Sequence, residues 1–231
     1  MSASGGNKAI IAAFLANMGI ALAKFAAWAL SGSASMLAEA VHSVADSGNQ
    51  LLLLLGGRRA KRAADQAHPF GYGREWFVSA FVVPILLFSI GGAFSIYEGV
   101  NKLTHPHMLA NWWIPVGVLV IAIVLESFSL RTAVRESNHV RLPGQSWVSF
   151  VRHSKAPELP VVLLEDVGAL VGLCFALFGV GMTVLTGNPL FDALGTLMIG
   201  VLLVAIAIIL GIETKSLLVG EGASEADHRA I

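Results

Sequence analysis

Residues 39–50 set a row of polar side chains into an otherwise apolar stretch: Glu39, His42 and Asp46, with Asn49 and Gln50 beyond. Spacings of three and four place such residues on one face of a helix. A His and an Asp at i, i+4 can clamp one cation from a single helix. Imidazole nitrogen and carboxylate oxygen both bind zinc well, at roughly 2.0–2.2 Å. The same pair can instead be a His–Asp hydrogen bond that holds two helices together, and at this point both readings stand. A second cluster, Glu165-Asp166, lies in another apolar stretch, with Glu158 towards one end of it. Adjacent helical residues point about 100° apart. One of these acids is therefore expected to meet the helix of Asp46 and the other to face a different neighbour or water. Lys24, in a third apolar stretch, needs a partner too. Two acids and one lysine leave at least one acid unexplained, and an ion site between the two acidic segments accounts for it.

The elements that must position these groups follow from composition. Hydrophobic residues are 55% of the 231 and charged residues 13%, with a mean hydropathy of +0.73. A soluble domain carries roughly 25% charged residues, so too little polar surface is present to cover a water-soluble fold. A membrane-spanning helix needs about 20 mainly apolar residues. Six segments qualify: 9–30, 34–55, 76–100, 112–134, 160–186 and 190–214. None alternates with period two, which disfavours a membrane β-barrel. The expected fold is an all-α membrane protein, a bundle of six transmembrane helices. Ionisable groups at such depth are costly and read as functional by default.

Net charge is zero, yet the basic residues are distributed unevenly. With the N-terminus inside, 13 of the 15 Lys and Arg residues fall in inner segments; Lys102 is outer and Lys24 lies within the first helix. Positive residues remain on the cytoplasmic side, so both termini are expected there, in a bacterial inner (plasma) membrane. The basic residues report topology and not nucleic-acid binding. Residues 9–30 exceed the 7–15 residues of a signal-peptide core and are read as a retained helix. Ser31-Gly32-Ser33 and Gly187-Asn188-Pro189 are turns, Trp112-Trp113 an interfacial belt, and 135–159 a polar connection. Glu126 is expected to neutralise Lys24, Asp192 to suit the positive end of its own helix, and Cys174 to be a small apolar packing residue. His105 and His107 read as solvated, and Gly168, Ala169 and Gly172 as close packing beside the acids. There is no phosphate loop, which argues against an ATPase motor, and the chain is expected not to be an enzyme.

Ala38-Glu39-Ala40-Val41-His42-Ser43-Val44-Ala45-Asp46 resembles the second-helix metal motif of the cation diffusion facilitator family. So do the loop His68-Pro69-Phe70-Gly71-Tyr72-Gly73-Arg74, Leu164-Glu165-Asp166, Asp192-Ala193-Leu194-Gly195 and the exit Leu217-Leu218-Val219-Gly220-Glu221. The likeness runs through nearly the whole chain and looks most like the branch of the mitochondrial and nuclear zinc-transporter-like member and its bacterial relatives. It implies a six-helix transport domain over 1–220, usually dimeric, that exports zinc or a similar cation in exchange for protons. It also implies that 221–231 begin a truncated cytosolic segment, where the family continues into an α+β domain. Its metal site takes an i, i+4 pair from each of two helices. His42 and Asp46 match the first pair. Asp166 matches in the second, but Val162 stands where a liganding His or Asp is usual, which leaves the fourth place to Glu165 or water.

The expected function is therefore alternating access about His42, Asp46 and Asp166, with protons and metal competing for the same ligands. Zinc comes first; manganese, iron, cobalt and cadmium suit similar donors. Two rivals remain: a non-transporting scaffold whose buried charges only join helices, and a proton-coupled permease for a small organic solute.

Overall fold

The computed structural model describes residues 3–59, 62–66, 68–69, 71–142, 144–153 and 158–219. Every regular element among them is a helix: α1 (Ala3–Ser31), α2 (Ala34–Arg59), α3 (Gly73–Thr104), α4 (Trp113–Val140), α5 (Trp147–His153), α6 (Glu158–Thr186) and α7 (Leu190–Val219). Six of these carry the expected apolar segments, and each runs past its segment at one end or both. The expected polar connection over 135–159 is corrected: α4 continues to Val140, and the seven-residue α5 lies between α4 and α6. Its Phe150 is buried, and Trp147 stacks under the Arg141 guanidinium at 4.2 Å from the ring centroid. Anchors of this kind give a short polar–apolar stretch enough burial to be helical. Among the described residues, Trp113–Val140, Leu159–Thr186 and Leu190–Ile212 are long and apolar enough to cross a membrane. The segment 221–231 lies outside the described residues.

Local chemistry explains the helix ends. The α1–α2 turn passes through Gly32 at φ +69°, a left-handed conformation that glycine adopts without a Cβ penalty. Ser33 Oγ then accepts from the Met36 N–H at 3.2 Å, a serine cap on the first turn of α2. Between α6 and α7, Gly187 is again left-handed and Asn188 Oδ1 accepts from the Leu190 N–H. Before α3, Asp65 accepts from the His68 N–H at 2.7 Å and from the Tyr72 hydroxyl at 2.6 Å, and the His68 and Tyr72 rings lie 4.2 Å apart. The motif loop therefore folds on its own side chains; Ala67 and Phe70 lie outside the described residues.

The helices form a closed ring. α3 packs broadly on α7 and on α2, α7 on α6, α6 on α4, and α2 on α1; α1 meets α4, and α2 meets α6, over shorter stretches. Close approach comes from small residues. A Cβ on Gly92 of α3 would fall 3.1 Å from the Gly200 carbonyl oxygen of α7, and one on Gly179 of α6 would fall 3.2 Å from the Gly195 Cα. Such contacts let membrane helices pack backbone to backbone. Met36, Phe88, Leu119, Leu173, Val180, Ile199 and Leu203 fill the centre. The apolar residues that remain exposed, among them Ile121, Phe128, Val201 and Ile208, are suited to lipid.

Candidate metal centre

A cavity of about 300 Å³ opens between α1, α2, α4 and α6. Its polar wall carries Asp46 from α2, Glu165 and Asp166 from α6, Glu126 and Ser129 from α4, and Asn17 and Lys24 from α1. Four carboxylates thus share a space with one ammonium group. Three of the four residues predicted for the metal site, Asp46, Glu165 and Asp166, are brought together here. Asp166 accepts a hydrogen bond from Ser129 Oγ at 3.0 Å, which turns it towards α4. The adjacent acids still line one cavity because the space lies between four helices, so side chains about 100° apart on α6 reach it from two flanks.

His42 is placed differently. It is 2% exposed, and its ring lies tilted on Phe88 of α3 with centroids 5.6 Å apart. Its Nδ1 is 3.6 Å from Asp46 Oδ1, and its Nε2 is buried with no hydrogen-bond partner among the described residues. Among those residues His42 does not line the cavity, and no three His, Cys, Asp or Glu side chains converge at metal-binding distance. The imidazole lies beside Asp46 on α2, with Nδ1 just beyond hydrogen-bonding distance of Oδ1. Val162 does line the cavity, so the position four before Asp166 faces the site with a side chain that cannot ligate.

Lys24 requires a correction. Its Nζ donates to Glu39 Oε2 at 2.9 Å and to Ser43 Oγ at 2.8 Å, so Glu39, and not Glu126, is its partner. The reason is reach: Glu39 and Ser43 lie one turn apart on α2, which packs along α1, while α4 meets α1 more briefly. Glu126 is thereby left to the cavity wall, a role the sequence reading missed. The available signal was its mid-span position, three residues before Ser129 on the same helical face.

Asp192 lies in the first turn of α7, as expected. Its carboxylate in addition caps α2. Oδ2 accepts from the Ala34 N–H at 2.8 Å, and Oδ1 accepts from Ser33 Oγ at 2.7 Å and the Ser35 N–H at 3.3 Å. Cys174, expected to be packed, is exposed on α6. His105, His107, Trp112 and Trp113 are exposed as expected. The small residues beside the acids do mark close packing: a Cβ on Gly172 would fall 2.6 Å from Glu39 Oε1. The side chains of Glu158, Asn49 and Gln50 lie outside the described residues.

Sequence comparison places this arrangement among known proteins. The profile of the cation efflux transmembrane domain matches residues 10–219. The human mitochondrial proton-coupled zinc antiporter SLC30A9 is 38% identical over 181 residues, 78% of this chain and 32% of that protein. Metal tolerance protein C4 of Arabidopsis thaliana is 30% identical over 95% of this chain and 48% of its own length. The magnetosome protein MamB of Magnetospira is 26% identical over 87% and 63%. The chain thus spans about a third of the length of the human relative. With the motifs, the apolar helices and a match over residues 10–219, the chain is an integral, multi-pass membrane protein that belongs to the cation efflux family, otherwise the cation diffusion facilitators.

Proposed function

We propose that this chain is the transport domain of a secondary active divalent-metal transporter, in the first place a Zn²⁺/H⁺ antiporter that exports metal from the cytosol. The observation that carries the reading is the shared cavity of Asp46, midway along α2, with Glu165 and Asp166 of α6. A buried group of carboxylates is costly in lipid unless a cation or protons neutralise it. A divalent metal and protons are the two alternatives that such a cavity can exchange, because ligands must be deprotonated before metal binds. The proposed ligands are His42, Asp46 and Asp166, with Glu165 or water in the fourth place. Rotation of the His42 side chain brings its imidazole to the metal held by Asp46. Six spans with both termini cytoplasmic, a homodimeric assembly and a bacterial inner membrane complete the proposal. The human relative is a proton-coupled zinc antiporter by its name, which supports zinc ahead of manganese, iron, cobalt and cadmium on the same scaffold.

The scaffold reading has two observations in its favour, the Lys24–Glu39 ion pair between α1 and α2 and the Ser129–Asp166 hydrogen bond between α4 and α6. The ion pair uses none of the three proposed carboxylate ligands, and a hydroxyl does not balance the charge of Asp166. The test is zinc uptake into proteoliposomes under an imposed pH gradient, comparing the native chain with Asp46→Ala. Uptake that depends on the gradient and vanishes in the variant is expected. Equal uptake in the two proteins would overturn the site, and uptake indifferent to the gradient would overturn the antiport.

A further inference from the structure

The two helices that supply the proposed metal site touch each other over only a short stretch, yet both end on one residue of a third helix. Asp192, fully buried in the first turn of α7, bonds to the start of α2 through its side chain and to α6 through its backbone N–H. Its carboxylate receives Ser33 Oγ and the Ala34 and Ser35 N–H groups at the start of α2. Its carbonyl oxygen receives Ser35 Oγ at 2.9 Å, and its own N–H donates to Thr183 Oγ1 of α6 at 2.9 Å. Lys102, at the end of α3, lies 3.7 Å from Oδ2 and donates to the Gly32 carbonyl at 2.9 Å. The first N–H groups of a helix have no partner within it. Here two of them find one on a neighbouring helix in a dry environment, where an unmade hydrogen bond is expensive.

We propose that Asp192 is a positioning residue for the metal site: it clamps the start of α2 to the end of α6 and so sets the register that brings Asp46 opposite Glu165 and Asp166. The clamp lies about 18 Å from Asp46 along α2, at 1.5 Å per residue over twelve residues, so Asp192 touches no proposed ligand. It acts as a rigid spacer. The hydrogen bonds that Lys24 gives to Glu39 and Ser43 join α2 to α1, and Glu39 packs on Gly172 of α6; Asp192 adds a hydrogen-bonded link between α2 and α6. The role needs hydrogen-bond acceptors, not a negative charge, because the ammonium of Lys102 is there to balance that charge. The inference rests on the metal-site reading given above, and its test has a readout that does not.

In the full chain with Cys174→Ala, spin labels are placed at the exposed Leu55 on α2 and Phe178 on α6, and the distance between them is measured in lipid. Half-saturating zinc for uptake is measured in the same proteins. The unaltered clamp should give one narrow distance. Asp192→Ala should broaden or shift it and raise half-saturating zinc about tenfold, with maximal uptake changed less. The paired variant Asp192→Asn with Lys102→Met removes both charges and keeps one of the two acceptor oxygens; it should narrow the distance relative to Asp192→Ala and bring half-saturation within about threefold of the parent. An unchanged distance and half-saturation in Asp192→Ala would overturn the proposal. So would a paired variant as impaired as Asp192→Ala, which would mean that charge, not capping, is what Asp192 supplies. A broadened distance in a parent that takes up no zinc would keep the clamp and remove the transport reading instead.

Discussion

Lys24 Nζ lies 2.9 Å from Glu39 Oε2, and the two side chains are 4% and 0% exposed. An ion pair so enclosed costs much of its attraction in desolvation, but losing one partner leaves a lone charge among apolar helices. Lys24→Met should therefore lower stability by about 3 kcal/mol, read as thermal unfolding in detergent. Lys24→Met with Glu39→Gln should recover most of that loss. Glu126→Gln in place of Glu39→Gln should recover little, because Glu126 lines the cavity and is not the lysine's hydrogen-bonding partner.

Val162 faces the cavity one turn before Asp166. Val162→His would place an imidazole at i, i+4 with that carboxylate and complete the second ligand pair. Zinc binding measured by calorimetry should tighten about tenfold, equivalent to about 1.4 kcal/mol. Unchanged affinity would place the metal away from Asp166.

Asp46→Asn keeps the size of the side chain and removes a donor oxygen and its charge. Zinc uptake should fall by at least about a hundredfold, the upper end of what a single supporting ligand interaction controls. The unfolding temperature should hold or rise, since one of four clustered carboxylates has gone.

Acidification on the metal-loading side should raise half-saturating zinc. Protons bind the same oxygens and the same imidazole as the metal, so each ligand protonated is a ligand withdrawn. Initial-rate uptake across a pH series checks the sign; a half-saturation that falls with acid would contradict competition.

Gly200 offers no room for a side chain: its Cβ would lie 2.9 Å from the Ile96 backbone nitrogen. Gly200→Ala should cost about 1–3 kcal/mol through overpacking. Gly117→Ala is the matched control, since nothing lies within 4 Å of its Cβ. It should be neutral or stabilising by up to about 1 kcal/mol from helix propensity.

Much of this fold was legible in the sequence because lipid imposes a simple rule. Long apolar runs must be helices, and the runs at 9–30 through 190–214 all are. The acids on α2 and α6 stood out for the same reason, as charges at a depth where charge is costly. What escaped was pairing. Spacing along one helix cannot tell which neighbour a long side chain reaches, so Lys24 was matched to Glu126 although Glu39 lies closer in space. Nor could it show that Asp192 caps a helix 158 residues earlier in the chain than itself, at Ala34. His42 shares a face with Asp46 by periodicity, yet the face is wide enough that one residue lines the cavity and the other leans on Phe88. The short α5 was invisible because a helix of seven residues depends on tertiary anchors, here Phe150 and the Arg141–Trp147 stack, and not on its own periodicity.

The ring of helices has unequal joints. Where Gly92 meets Gly200, α3 and α7 touch backbone to backbone, and parting them would surrender the broadest contact in the bundle. Opposite, α1 with α4 and α2 with α6 meet over much shorter stretches, and the acid-lined cavity lies along those joints. The glycine contact is thus the firmest joint of the ring, and the cavity lies where packing between the helices is thinnest.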